Sequence, residues 1–261
     1  MPVRRAEPVM GTVVTVDVRD DRPGADAEAD IGRAIDGVFA TLRELDARFS
    51  PYRPDSEVSR LADDLAAGEP PDPDAMSRDL RFVLAACDHL ADSSGGAFDA
   101  RGHRTDGRLD PSGFVKGWAV DEAARALEDS GLRQYAINAG GDITLRGGPW
   151  TVGIQHPDLR DRIAARVSLR DAAIATSGLY ERGDHIRDPR SGETPAELRS
   201  LSVVGPMLTW ADAYATAAFA MGLDGLAWVE RHPGYGAIAI TSDDRLVWSP
   251  SAAASLMRLS S

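Results

Sequence analysis

The chain has 261 residues, of which 43% are hydrophobic, and it carries 29 basic and 41 acidic side chains, a formal net charge of −12. This length and apolar content suffice for a domain with a buried core, and they exclude an intrinsically disordered chain. The acidic balance argues against nucleic acid as the partner, because such binding needs a basic patch and the sequence shows none. A phosphate-bearing ligand would therefore need local donors or a metal ion.

The single cysteine, Cys87, excludes an intrachain disulfide and a zinc site with several cysteines. It lies among apolar residues at helical spacing, which indicates a buried and unreactive thiol. No segment reaches the ~18 apolar residues that a membrane-spanning helix needs, and no secretory signal follows the first methionine. We therefore expect a cytoplasmic protein without membrane insertion.

The predicted elements are short strands and amphipathic helices. The β-branched segment 9–18 predicts a strand, and apolar residues at steps of three and four predict the first helices. These helices cover 31–45, 56–66 and 80–91, the last ending at Ser93–Gly96, and a fourth starts near Trp118 and ends at Gly131. Strands are predicted at 134–139, 142–146, 150–155, 163–169, 172–177, 236–241 and 245–248, with helices at 210–222 and 224–231.

The order and spacing of these elements indicate the fold class. Closely spaced strands favour antiparallel pairing, and the order fits an α+β domain better than strict βαβ alternation. We predict a single domain over residues 1–261, built of two intimately joined halves with a mixed or antiparallel sheet and packed helices.

Asp212 and Thr216 are the first candidates for chemistry. They lie four residues apart on a predicted helix and therefore share one face. A carboxylate and a hydroxyl are hard oxygen ligands, suited to Mg²⁺ and unsuited to zinc. An aspartate near a helix N-terminus and a threonine that bonds back to its own helix would give the same pattern, and for the pair alone this is the better explanation.

The segment from Asp110 to Gly117 predicts a turn that leads into the fourth helix. A glycine-bearing turn at a helix N-terminus presents N–H groups and the positive dipole end to an anion, and Lys116 adds a full charge. The spacing is not that of a P-loop. An ordinary turn with a solvated lysine explains the segment equally well.

Four further motifs have structural explanations when each is taken alone. The glycines in Asn138-Ala-Gly-Gly-Asp142 predict a tight hairpin or a close approach to a ligand. His185 follows Thr176-Ser-Gly178 in a polar, turn-rich segment, and a lone histidine is more often structural than catalytic. Phe49-Ser-Pro-Tyr52 and Gly95-Gly-Ala-Phe98-Asp99 have the composition of a loop and a helix cap.

Taken in order, the motifs resemble those of the ApbE family, the FAD:protein FMN transferases. The resemblance runs from about Met10 to Gly222. It is carried by Met10-Gly-Thr12, Phe49-Ser-x-Tyr52 with Ser56-Glu57, Gly96-Ala-Phe-Asp99, Asp110-x-x-Gly-x-x-Lys-Gly117 with Asp121, Asn138-x-Gly-Gly-Asp142, Thr176-Ser-Gly178, His185-Ile-x-Asp-Pro-x-x-Gly192 and Asp212-Ala-x-x-Thr216 with Met221-Gly222. Mild departures are Val115, Ser191 and the Ala-Arg that follows Asp99. We also find no lipobox cysteine and expect an intracellular member.

The resemblance implies both a site and a reaction. It implies that FAD lies folded in a cleft and that Mg²⁺ is bound by Asp212, Thr216 and the carbonyl of Gly113. It implies flavin contacts from Met10, Tyr52, Ala97, Phe98, Asp99, Asp110, Lys116 and Ile186. His185 matches the histidine that activates the attacking hydroxyl, and Asp212 is the second catalytic candidate.

The implied reaction is transfer of the FMN half of FAD to a threonine or serine hydroxyl of an acceptor flavoprotein, with AMP as the leaving group. Two alternatives remain. A Mg²⁺-dependent FAD pyrophosphatase would use water in place of the acceptor, and Tyr52 could restrict that reaction by covering the flavin. A non-catalytic FAD-binding protein would not need Asp212, Thr216 and His185 together.

Overall fold

A large antiparallel sheet forms the centre of the fold in the computed structural model, which describes residues 2–21, 26–101, 106–159, 161–178 and 196–257. Its strands are β1 (Val3–Val9), β2 (Thr12–Val18), β3 (Tyr135–Ala139), β4 (Asp142–Arg146), β7 (Ala172–Gly178), β8 (Leu198–Gly205), β9 (Gly236–Thr241) and β10 (Leu246–Trp248), in that spatial order. Each neighbouring pair of these strands is antiparallel. The predicted α+β class is confirmed, and the sheet is antiparallel rather than mixed.

The two faces of the sheet are covered differently. One face is covered by a helical layer of α1 (Ala27–Phe49), α2 (Glu57–Ala66), α3 (Arg78–Ser94), α4 (Ser112–Asp129), α5 (Leu208–Ala220) and α6 (Asp224–Val229), in which α2 packs on α1 and α3 on α4. The other face packs against the hairpin of β5 (Trp150–Gln155) and β6 (Ile163–Leu169), and a short 3₁₀ helix (Pro250–Ala252) follows β10. Successive side chains of a strand point to opposite faces of the sheet, which explains this arrangement. On β7, Ala173 and Ala175 belong to the core on the helical face, and Ile174 belongs to the core under the β5–β6 hairpin. The division into two joined halves stays a prediction.

The N-terminal strand prediction was wrong in its extent. Segment 9–18 is not one strand, because the chain reverses at Met10 and Gly11, which have φ angles of 53° and 71°. Left-handed conformations at both central residues are those of a tight hairpin turn. The preceding β1 is an edge strand, and its Pro8 is tolerated because such a strand has one side free of partners.

The predicted start of the fourth helix was also wrong. The helix α4 begins at Ser112, six residues before Trp118, so that Gly113, Lys116 and Gly117 lie within it. The Asp110 carboxylate accepts a hydrogen bond from the Ser112 N–H (3.0 Å), which supports this early start. Burial of Phe114 and Val115 holds the first turn against the core.

Three other features agree with the sequence. The helix α3 ends at Gly95, whose φ of 62° is the left-handed closing conformation. Cys87 on this helix is buried, and burial raises the pKa of its thiol to about 12. Within the described residues, no helix is both long and apolar enough to cross a membrane.

Candidate active site

Helices α4 and α5 run antiparallel and touch along one face of each. Three contacts, one per turn, define the pairing: Gly113 with Thr216, Gly117 with Asp212, and Asp121 with Thr209. Residues four apart share a helix face, so Gly113, Gly117 and Asp121 form a single stripe on α4. The candidate site is built around this helix pair.

Gly117 allows the two helices to approach closely. A Cβ at this position would lie 2.5 Å from the Leu208 carbonyl oxygen and 2.9 Å from Asp212 Cβ, distances too short for a side chain. The Gly117 N–H instead donates a hydrogen bond to Asp212 Oδ2 (3.1 Å). In a regular α-helix this N–H would bond to the carbonyl of residue 113. The Asp212 carboxylate therefore competes for the proton that the Gly113 carbonyl would normally accept.

The three residues predicted as metal ligands lie close together. Asp212 is 4% exposed, and Thr216 lies one turn further along α5. The Thr216 hydroxyl oxygen is 3.7 Å from the position of a Cβ built on Gly113, and 3.5 Å from the hydroxyl of Ser177 on β7. A carboxylate, a hydroxyl and the neighbouring Gly113 backbone thus offer hard oxygen donors within one small region.

Lys116 joins this region to the sheet. Its ammonium forms an ion pair with Asp142 Oδ2, and it lies 3.7 Å from Asp212 Oδ1. Asp142 Oδ1 accepts a hydrogen bond from the Thr176 N–H (2.9 Å), and the Asp142 side chain is 1% exposed. Among these three charged side chains, two are acidic and one is basic. A further cation would balance the remaining negative charge.

The predicted flavin-binding residues around 97–110 lie next to the ligand candidates. Phe98 is buried, and its Cε2 atom is 3.3 Å from the position of a Cβ on Gly113. The Asp110 N–H donates to the Ala100 carbonyl (2.7 Å), which joins this loop to the start of α4. The Asp99 carboxylate accepts from the Arg101 N–H (2.7 Å) and is half-buried.

A groove opens beside Ala97, between the end of α3 and the helix α6. Its volume is about 540 Å³, and Ser94, Met221, Trp228 and Arg231 are among the residues that line it. A space of several hundred Å³ with an apolar wall, one basic side chain (Arg231) and one acidic side chain (Asp224) has the size to hold part of a small ligand.

Two further predicted flavin residues lie in connections between elements. Met10 occupies the β1–β2 turn, and the neighbouring Thr12 packs against Gly140, where a Cβ would lie 2.5 Å from the threonine hydroxyl. Gly140 belongs to the β3–β4 turn that immediately precedes Asp142, so this motif does form the predicted hairpin. Tyr52 lies between α1 and α2, and it is 72% exposed.

His185 and Ile186 lie outside the described residues, together with the rest of segment 179–195. Their predicted roles, and that of Asp188 as an alternative base, stay predictions. In the described part of the chain, no three His, Cys, Asp or Glu side chains are grouped in a way that could hold a metal. The predicted Mg²⁺ site does not need such a group, since it uses one carboxylate, one hydroxyl and one carbonyl.

The sequence interpretation assigned no role to Ser177 or Thr209. Ser177 was visible only as the middle of Thr176-Ser-Gly178, and its contact with Thr216 depends on strand β7 packing against α5. Thr209 carried the ordinary signal of a polar residue in the first turn of a helix.

Comparisons with known proteins identify the family of this chain. The model of the ApbE family matches residues 10–105 and 101–239, most of the chain. The chain belongs to the ApbE family. It is 28% identical to the FAD:protein FMN transferase of Treponema pallidum, a match that covers 93% of this chain and 85% of the relative. It is 32% identical to the enzyme of the same name from Escherichia coli K12, over 52% of this chain and 43% of the relative.

Solved structures give the same result for the fold. The flavin transferase ApbE from Vibrio cholerae aligns with a TM-score of 0.80 at 25% identity and covers 96% of this chain and 98% of that protein. The apbe protein of Thermotoga maritima also aligns with a TM-score of 0.80, at 21% identity, and supports the fold alone. The predicted family and its α+β fold are therefore confirmed.

Proposed function

We propose that this protein is an FAD:protein FMN transferase, which moves the FMN half of FAD to a threonine or serine hydroxyl of an acceptor flavoprotein and releases AMP. The observation that carries the proposal is the convergence of Gly113, Asp212 and Thr216 beside Lys116, together with the activity named for the family relatives. Cytoplasmic location stays a prediction from the sequence.

The residues at this point fit Mg²⁺. Asp212 is a nearly buried carboxylate, Thr216 supplies a hydroxyl, and the Gly113 carbonyl shares its usual helix donor with Asp212. These are the oxygen donors that Mg²⁺ prefers, and the excess of acidic over basic groups favours a cation. When bound there, the ion would neutralise the FAD diphosphate and make its phosphorus more electrophilic.

The side chains of this protein would orient the two substrates. We assign Lys116 to one diphosphate oxygen, because the ammonium lies beside Asp212 and is fixed by Asp142. We assign Met10 and Tyr52 to the flavin, since an apolar side chain and an exposed aromatic face bind a ring system. Phe98, whose side chain is buried, would contact FAD through its backbone. Ala97, Asp99, Asp110 and Ile186 would complete the FAD contacts.

The transfer step needs a base. The acceptor oxygen forms a bond to the FMN-side phosphorus, the bond from that phosphorus to the bridging oxygen breaks, and AMP leaves with that oxygen. His185 takes the proton of the acceptor hydroxyl, because an imidazole titrates near neutral pH. With water in place of the acceptor, the same steps would release FMN and AMP.

The test measures AMP release and flavin fluorescence of an acceptor protein in a denaturing gel. Wild-type protein with FAD, Mg²⁺ and acceptor should give both signals, and EDTA should remove both. Asp212→Ala should abolish transfer, because it removes the only charged ligand assigned to the metal. Asp129→Ala is the matched control, since this exposed aspartate lies at the far end of α4.

The same assay separates the alternatives. AMP release without acceptor fluorescence would indicate a pyrophosphatase. If FAD binds but neither AMP release nor acceptor fluorescence appears with any acceptor encoded by neighbouring genes, the protein is a non-catalytic flavin-binding protein. Full activity in EDTA would contradict the metal assignment.

A further inference from the structure

We propose that Asp121 is a positioning residue, whose half-buried carboxylate fixes the first turn of α5 and thereby sets Asp212 and Thr216 for Mg²⁺. The proposal rests on the proposed function, because it concerns the metal ligands of that reaction. Asp121 does not itself belong to the set of metal ligands or flavin contacts, and it acts through Thr209.

Asp121 caps a helix that has no cap of its own. Its Oδ2 atom accepts hydrogen bonds from the Thr209 N–H (2.8 Å) and the Thr209 hydroxyl (2.7 Å). Thr209 is the second residue of α5, and the residue at the N-cap, Met207, makes no side-chain capping bond. The first N–H groups of a helix have no partner within it, and a negative charge at that end is favourable. Here the neighbouring helix supplies the acceptor.

The same stripe of α4 that bears Asp121 also holds Asp212. Asp121 follows Gly117 by one turn, and the Gly117 N–H donates to Asp212 Oδ2. The helix α5 is therefore fixed to α4 at two consecutive turns: the turn that bears Thr209 and the next turn, which bears the predicted ligand Asp212. Without the bond at Thr209, the ligand turn would keep its contacts with Gly117, Lys116 and Ser177, but the start of α5 would lose the bond that fixes it to α4.

One oxygen of this half-buried carboxylate is fully buried, which a helix cap does not require. Exposed aspartates cap helices well, whereas burial raises the pKa of Asp121, against the lowering effect of the Thr209 bonds. Its Oδ1 atom is buried and makes no hydrogen bond of regular geometry among the described residues. The buried Thr144 hydroxyl on β4 lies near it and also makes no hydrogen bond of regular geometry among these residues. A carboxylate with one buried, incompletely satisfied oxygen destabilises the fold, so its presence beside the ligand turn points to a role in the site.

The chain offers a matched control for the cap. The Asp20 carboxylate also accepts from two backbone N–H groups, those of Arg133 (3.0 Å) and Gln134 (2.7 Å). It lies at the end of β3 opposite to the Gly140 turn, and therefore away from Asp142 and Lys116. Asp20→Ala should reduce stability as a cap variant does, without an effect on the metal ligands.

The experiment measures Mg²⁺ binding without turnover, by titrating MgCl₂ into the protein with FAD and no acceptor and following the melting temperature. Asp121→Ala should raise the Mg²⁺ concentration for half-maximal stabilisation by ~10- to 100-fold, the usual effect of losing a group that orients a metal ligand. Asp121→Asn, which keeps an acceptor oxygen for Thr209, should stay within about threefold of wild type by the same reasoning. Hydrogen exchange at residues 208–213 should be faster in Asp121→Ala and unchanged in Asp20→Ala.

Different results would overturn different statements. If Asp121→Ala exchanges faster at 208–213 but binds Mg²⁺ as wild type does, Asp121 is only a structural cap and the inference is wrong. If Asp20→Ala weakens Mg²⁺ binding as much as Asp121→Ala, the effect is general loss of stability and the inference is again wrong. If wild-type protein shows no response to Mg²⁺, the proposed metal chemistry fails first, before any variant is compared.

Discussion

Replacing Gly117 with alanine tests the helix contact on which the site depends. In an open helix this change stabilises a protein by about 0.5–1 kcal/mol, because alanine loses less conformational entropy on folding. At Gly117, however, the new Cβ would meet the backbone of α5 at 2.5 Å, where no side-chain rotation can relieve it. Overpacking of this kind costs about 1–3 kcal/mol, and contact with backbone favours the upper part of that range.

Gly32 on α1 is the matched control, because a Cβ there meets nothing within 4 Å. Gly117→Ala should therefore lose about 1–2 kcal/mol of unfolding free energy while Gly32→Ala gains up to about 1 kcal/mol. Urea denaturation followed by circular dichroism measures both, and a difference of about 2 kcal/mol corresponds to a midpoint difference of roughly 1 M for a typical urea slope. If Gly117→Ala were as stable as Gly32→Ala, the close crossing of α4 and α5 would be refuted.

Three other predictions follow from single residues. Burial lowers the pKa of His232, whose ring contacts Tyr214 at a tilt and Trp228 edge-on. The neutral ring therefore stabilises the fold above pH ~6.5, and this contribution is lost as the pH falls through the lowered folded-state pKa. His232→Phe should therefore reduce the fall in melting temperature between pH 7 and pH 5, and an unchanged pH profile would contradict this. Cys87, with its pKa raised to about 12, should not react with a thiol reagent at pH 8 until denaturant unfolds the chain, and rapid native labelling would show that it is not buried. His185→Ala should lower the transfer rate by ~10² to 10⁴ and remove the acidic limb of the pH–rate profile while FAD affinity is kept; near-normal turnover with the same acidic limb would assign the base to a carboxylate such as Asp188 or Asp142.

The sequence predicted most of the strands and helices, because apolar periodicity survives wherever a strand or helix has one buried face. Two strands were missed for opposite reasons. The edge strand β1 contains the charged residues Arg4, Arg5 and Glu7, and Pro8, which has no backbone N–H to donate, so its sequence lacks the pattern that predicts a strand. The strand β8 is buried, but Ser200 and Ser202 occupy positions where apolar residues are expected. The Ser202 hydroxyl is satisfied by the Thr176 hydroxyl on β7 (2.8 Å), a pairing that only the sheet order reveals.

The site was predictable as a set of residues and not as an arrangement. The family resemblance named Gly113, Lys116, Asp212 and Thr216, and the structure brings these four together. Their metal and flavin roles stay predictions. What the local sequence could not show is that Lys116 pairs with Asp142, because that contact joins a helix to a strand that is 26 residues further along the chain.

The glycines of α4 show why the local interpretation placed the helix start too late. Glycine near aspartate and proline is typical of a turn, and the segment from Asp110 to Gly117 has that composition. Gly113 and Gly117 instead lie inside a helix, four residues apart on the face that meets α5, and Asp121 continues the same face. The absence of a side chain on Gly117 lets its N–H reach Asp212. A Cβ there would meet the backbone of α5 and push α5, with Thr209, away from Asp121. The spacing Gly-x-x-x-Gly-x-x-x-Asp therefore specifies the contact between two helices, and the ligands of the proposed metal site follow from where that contact holds α5.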